Sequence, residues 1–171
     1  KNAIPRALDE FCDDYEKWVE SKTREATELP ERYERVAESS LTLCRVAVER
    51  MRRGIQALIS DPKAMEAFML ANRAILMQQY HSRLPTRKVD GDTVALPEWN
   101  AYRSDWSKLQ GYWRSFQLAF VLMAIPGIVD ETDKIQLNDE EVLTRDLVDL
   151  IWFPTGGGKT EAYLGLSAFL I

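Results

Sequence analysis

Apolar residues recur at three- and four-residue steps through the first two-thirds of the chain, the mark of helices with one buried face. Ile4, Leu8, Phe11, Cys12, Tyr15, Trp18 and Val19 define the first such stripe. Pro30 interrupts it, and because proline is tolerated in a helix's first turn, it is expected to open the second helix. There Tyr33, Val36, Ala37, Ser40, Leu41, Cys44, Val48, Met51, Ile55 and Leu58 keep the helical step. Asp61-Pro62 predicts a boundary: the Asp61 carboxylate can accept from free N–H groups while Pro62 occupies the first helical position. A third helix, rich in Ala, Met and Leu, is expected from there to about Ser82.

Residues 84–98 hold Pro85, Asp90-Gly91 and Pro97, which predict a loop. Trp99, Tyr102, Trp106, Leu109, Trp113, Phe116 and Phe120 then alternate steps of three and four, predicting a fourth helix that Pro126-Gly127 ends. This aromatic stripe is read as a core face, with a stacking platform for bases as the alternative. Residues 129–149 read as a solvated acidic connector. Leu147 to Phe153 is a short apolar run that predicts a buried strand of a parallel sheet. Glycines follow, and Lys159 to Ile171 reads as helix. The apolar face of that last helix (Tyr163, Leu164, Leu166, Phe169, Leu170) is expected to pack on the helical region, meet another copy, or be poorly ordered.

Composition narrows the class. The 171 residues are 46% apolar and 29% charged, as in ordinary globular domains. The longest apolar run, Leu118 to Ile125, has eight residues against the roughly 20 that cross a bilayer, so no membrane partner is expected. Two cysteines, Cys12 and Cys44, and one histidine, His81, offer no disulfide framework or metal cluster, and with no secretory leader they predict a cytoplasmic, reducing setting. The start at Lys1 and the end at Ile171 inside an apolar run are what a piece of a longer protein would show.

The net charge of -5 argues against a dedicated nucleic-acid-binding domain. Its distribution is uneven: residues 31–128 hold 14 basic against 10 acidic groups, and residues 129–149 hold 2 against 8. Arg50, Arg52 and Arg53 are the densest basic patch. They are read as a solvated helix face, with a nucleic-acid contact as the alternative.

The chemical signal is Pro154-Thr155-Gly156-Gly157-Gly158-Lys159-Thr160. A helix that starts after a strand presents unpaired N–H groups and the positive end of its dipole. Glycines let the backbone curl around a phosphate. Lys159 can reach the outer phosphates, and the Thr160 hydroxyl can ligate Mg²⁺. The full phosphate-loop pattern has a glycine where Phe153 stands here.

The shortened form resembles motif I of superfamily 2 helicases. With Arg114-Ser115-Phe116-Gln117-Leu118-Ala119-Phe120 and Ala67-Phe68-Met69-Leu70-Ala71-Asn72-Arg73-Ala74, it resembles the helicase subunits of the DISARM phage-defence systems. That resemblance implies an ATP-driven DNA helicase or translocase working with a protein partner subunit. It implies a mostly helical fold in which an N-terminal domain (1–126) and the acidic connector (127–145) lead into the start of a RecA-like α/β ATPase domain (146–171). ATP would lie on Gly156, Gly157, Gly158, Lys159 and Thr160, with Thr155 supporting the loop and Mg²⁺ on Thr160. Gln117 resembles the adenine-reading glutamine of such enzymes, an amide suited to paired bonds with adenine N6 and N7; a glutamine packed at the edge of an aromatic helix is the other reading. The acidic residue and the arginine that phosphoryl transfer also needs have no counterpart in the 12 residues after Lys159, so no catalytic residue is assigned here and this stretch alone is expected to be inactive. A helical protein-interaction module, in a phosphate-loop ATPase that does not act on nucleic acid, is the alternative function.

Overall fold

A computed structural model of the protein describes residues 3–82, 89–91, 93–94, 111–137, 140–152 and 156–171. Three long helices come first: α1 (Ala3–Ala26), α2 (Glu31–Ser60) and α3 (Pro62–Ser82). In α1 the buried side chains are Leu8, Cys12 and Val19, one face at helical spacing. Pro30 caps α2 with extended dihedrals and accepts from the Tyr33 N–H at 2.8 Å. Glu31 and Glu34 fill the first turn, where carboxylates favour the dipole. The boundary expected at Asp61-Pro62 is present. The Asp61 N–H donates to Ala57 O at 3.0 Å and ends α2, while its carboxylate accepts from the Lys63 N–H at 2.8 Å and starts α3.

The loop expected around Asp90-Gly91 contains a small antiparallel hairpin, β1 (Val89–Asp90) with β2 (Thr93–Val94). Of the aromatic stripe, Trp99 to Leu109 lies outside the described residues. Helix α4 (Ser115–Val129) begins after Trp113 and buries Gln117, Phe120, Val121, Leu122, Ile125 and Pro126. It does not stop at Pro126-Gly127. One turn from the helix end, a proline forfeits little, and the Asp130 N–H still closes on Pro126 O at 2.9 Å. Burial of Ile125, with Ile128 and Val129 packed beside the core, holds that last turn in place.

The acidic stretch folds into a hairpin, β3 (Lys134–Leu137) with β4 (Glu140–Leu143), paired Ile135 to Val142. Ile135 points inward and is fully buried, whereas Glu140 and Glu141 remain exposed. Asp130 accepts from the Thr132 hydroxyl and N–H, and those two bonds hold its carboxyl below the usual carboxylate range. Asp130, Glu131, Glu140 and Glu141 are thus solvated as expected, whereas Asp133 and Asp149 turn inward to pair with Arg53 and Arg50; Asp139 lies outside the described residues.

The run after the hairpin departs from expectation. Residues 147–152 form no strand. The side chains alternate as a strand's would: Val148, Leu150 and Trp152 are 96%, 85% and 88% exposed, and Leu147, Asp149 and Ile151 turn inward. A strand needs a neighbour to pair its backbone, and the strands among the described residues are used up in the two hairpins. The expected parallel sheet is therefore not present among the described residues. The last helix, α5 (Lys159–Leu170), packs on α3 and α4. Ala162 and Phe169 join the main core, and Tyr163 meets Phe120 edge-on with ring centroids 5.6 Å apart. Tyr163, Leu164 and Leu170 keep an exposed side. No helix of the described residues is long and apolar enough to cross a membrane.

The basic patch is not a solvated face. Arg50 is buried and makes two 2.6 Å bonds to the Asp149 carboxylate, with a third to Met123 O at 3.3 Å. Arg52 pairs with Asp13 and Glu16, which hold its guanidinium charged. Arg53 pairs with Glu49 and Asp133 and donates to Lys134 O. All three cations are neutralised from other segments, so no free basic stripe for a phosphate backbone results. Both cysteines are free thiols, and burial pushes the Cys12 thiol up to about 11.

The Arg50–Asp149 pair ties the segment leading to the glycine loop onto α2 and α4. Asp149→Ala would strand a buried guanidinium, which typically costs about 3–5 kcal/mol. Arg50→Met with Asp149→Leu should cost less than that single change. Denaturant unfolding of the three proteins measures both.

Candidate nucleotide-binding site

The glycine loop enters α5 through left-handed backbone. Gly156 has φ 80° and Gly158, the N-cap of α5, has φ 85° and ψ 28°. A side chain at either would be strained. A Cβ at Gly156 would meet nothing within 4 Å among the described residues, whereas one at Gly158 would lie 2.7 Å from Gln117 Nε2 and 3.3 Å from Glu161 Oε2. The loop is thus open on one side and packed on the other. Lys159 and Thr160 form the first turn of α5 with Glu161, whose carboxylate sits at the positive end of the dipole. Thr155 lies outside the described residues.

Gln117 holds the packed side. Only 3% exposed, it donates from Nε2 to Gly158 O at 2.6 Å and accepts at Oε1 from the Arg114 N–H at 2.8 Å. One amide therefore caps the start of α4 and grips the N-cap residue of α5, 41 positions later. Its burial against the glycine loop, with both ends of the amide bonded to main chain, is what the structure adds to the two readings of Gln117.

Around this point lies a cavity of about 230 Å³ lined by Gln79, Ser82, Tyr112, Arg114, Gln117, Gly156, Gly158 and Glu161. Its size suits a phosphate chain better than a whole nucleotide, since sites for drug-sized ligands run to roughly 300–1,000 Å³. Arg114 also lines a groove of about 1010 Å³ walled by Tyr15, Trp18, Phe116 and Trp152. Gln79 donates from Nε2 to Tyr112 O at 3.2 Å, so the end of α3 fixes the strand of chain above the loop. Gln79, Ser82, Tyr112 and Glu161 escaped sequence reasoning. Tyr112 sits among aromatics that read as core, and nothing in the local pattern of α3 marks its last turn.

The loop shares its backbone features with main-chain anion sites, although the cavity is lined by the Glu161 carboxylate and not by Lys159 or Thr160. Open space at Gly156, left-handed glycines and a helix start are the elements that bind anions through main-chain amides. Among the described residues no group of three or more His, Cys, Asp or Glu could hold a metal by itself, so Mg²⁺ would depend on Thr160 and the nucleotide's own oxygens. A separate groove of about 850 Å³ lies between α1 and α2, and Arg52 and Arg53 in its wall are already paired.

No protein-family model matches the chain. Over 166 residues, 96% of its length, it is 36% identical to the DISARM protein DrmA of Bacillus paralicheniformis. This supports a DISARM-related chain. It spans 13% of that relative's length.

Gln117→Leu removes both amide bonds and leaves Gly158 O and the Arg114 N–H without their partner. An unsatisfied buried group costs about 1–3 kcal/mol, and a denaturant midpoint lowered by that amount is expected. Gln117→Glu keeps an acceptor for Arg114 but sets a buried carboxylate against Gly158 O and beside Glu161, and should lower the midpoint at least as far as Gln117→Leu.

Proposed function

We propose that the chain is the N-terminal part of an ATP-dependent DNA helicase or translocase acting in cytoplasmic anti-phage defence. The observation that carries this reading is the glycine loop at the N-terminus of α5, open at Gly156 and held at Gly158 by Gln117. The similarity to the DISARM protein DrmA supplies the biological setting and the expectation of a protein partner.

In this reading the main-chain amides from Gly156 to Thr160 receive the β- and γ-phosphates, positioned by the dipole of α5. Lys159 supplies positive charge beside the outer phosphate, Thr160 offers its hydroxyl to Mg²⁺, and Thr155 supports the loop. Gln117 keeps the loop's last carbonyl turned away from the anion; reading adenine, as the resemblance implies, would require this buried amide to exchange one of its main-chain bonds. ATP with its Mg²⁺ supplies the energy of phosphoryl transfer when bound. The acidic residue that orients water and the arginine that stabilises the leaving charge come from outside these residues, so the stretch by itself does not turn over ATP. The DNA assignment rests on the resemblance to motif I alone, because Arg50, Arg52 and Arg53 are taken up by ion pairs.

A second reading has its own support. Trp18, Tyr33, Val36 and Leu43 are 47–63% exposed along α1 and α2, an apolar surface that suits a protein-interaction module. The two readings separate in the complete protein. Lys159→Ala should abolish DNA-stimulated ATP turnover, a loss of at least about 100-fold for a group that stabilises transferring phosphate, while partner capture stays intact. Turnover that survives the change removes the motor reading; turnover indifferent to DNA favours the interaction module.

A further inference from the structure

Helix α5 packs along α3 and α4, and two of the contacts that seat it come from the short segment just before and at the start of α4. Gln117 holds its N-cap. The second point is Trp113, whose indole rests on α5 at Gly165. A Cβ added there would overlap Trp113 Cη2 and crowd Cζ3 and Cζ2 at 3.2 and 3.4 Å. The ring is itself aimed: Trp113 Nε1 donates to Asn72 Oδ1 at 2.7 Å, and Asn72 Nδ2 donates to Phe68 O one turn back on α3 at 2.7 Å. The bond to Phe68 O fixes which side of the Asn72 amide faces the indole. The chain is then Phe68 O to Asn72, Asn72 to Trp113, and Trp113 to the backbone of Gly165.

We propose that Trp113, oriented by Asn72, is a positioning residue for nucleotide binding, setting the tilt of α5 and thereby the direction of the main-chain amides at its N-terminus. The inference rests on the phosphate-loop reading above. Its physical basis is leverage. Gly165 lies seven residues after the Gly158 N-cap, about 10 Å along the axis at 1.5 Å per residue. With Gln117 as the pivot, a shift of the helix at Gly165 rotates the loop's N–H groups relative to an anion. Amide cradles are intolerant of such shifts, since a misplacement near 1 Å can cost up to about 100-fold. The contact also gives the glycine at 165 a reason: the helix backbone has to approach the indole closely.

The test is a compensation experiment on the complete protein, with binding of a fluorescent ATP analogue in Mg²⁺ as the readout and thermal unfolding as control. Gly165→Ala pushes against the indole and should weaken nucleotide binding about tenfold. Adding Trp113→Leu makes room for the new methyl and should bring affinity back to within about threefold of wild type, a non-additive pair of the kind that contacting residues show. Trp113→Phe keeps a ring and loses the bond to Asn72; it should raise the KM for ATP while leaving kcat near wild type. Should Gly165→Ala fail to fold, Trp113→Phe decides alone. Nucleotide binding unchanged in Gly165→Ala and in Trp113→Phe, or a double variant no better than Gly165→Ala, overturns the inference and leaves the phosphate-loop reading standing. Wild-type protein that binds no nucleotide removes that reading, and the inference with it.

Discussion

Two helices in this chain begin beside one another, and a single amide bonds to the first residues of both, an N–H at one and a carbonyl at the other. Helix starts leave backbone N–H groups without partners; at α4 the Arg114 N–H is met by Gln117 Oε1, and across the contact Gln117 Nε2 takes the Gly158 carbonyl. With that carbonyl held by a buried partner, the loop's curvature is fixed by Gly156 and Gly158, the positions where left-handed backbone carries no penalty. The arrangement ties the glycine loop to the helical core before any ligand arrives. Preorganisation of this kind is what lets neutral main-chain amides compete with water for a charged phosphate.

The same logic runs through the charges. Arginines that crowd one stretch of sequence are distributed by the fold to three different tasks. Arg50 pins the segment before the loop through Asp149, Arg52 fastens α1 to α2 through Asp13 and Glu16, and Arg53 holds the start of the β3–β4 hairpin through Asp133. The Arg50 pair is the costliest of these to assemble, because both charges leave water, and Arg50 Nε has no hydrogen-bond partner among the described residues. Its return is geometric: it sets where the chain stands as it approaches the loop.

Local signals were legible in the sequence. The extents of α1 to α3, the Asp61-Pro62 boundary and the opening of α2 at Pro30 all depend on residues within a turn or two of one another, whereas Trp18, Tyr33 and Val36, expected on buried faces, stand exposed. What depended on distant partners was not. Arg50 looked solvated because Asp149 stands 99 positions away. Leu147 to Phe153 had a strand's composition, yet a strand exists only with a neighbour, and 147–152 has none among the described residues. Pro126 looked like a terminator because propensity weighs the missing N–H and not the burial of the turn around it. At the candidate site the glycines and Lys159 could be named from spacing, and Gln117 from its resemblance to a nucleotide-reading motif. Its grip on Gly158, and the seat that Trp113 gives Gly165, come from packing between segments more than forty residues apart.

The central claim is that the amides from Gly156 into the first turn of α5 receive a polyphosphate when nucleotide binds. Backbone hydrogen exchange of residues 156–162 in the complete protein, with and without a non-hydrolysable ATP analogue and Mg²⁺, tests it most directly. The account predicts that these amides exchange more slowly once nucleotide is bound, with the slowing centred on the loop and lost in Lys159→Ala. Unchanged exchange across the loop at saturating nucleotide would contradict it.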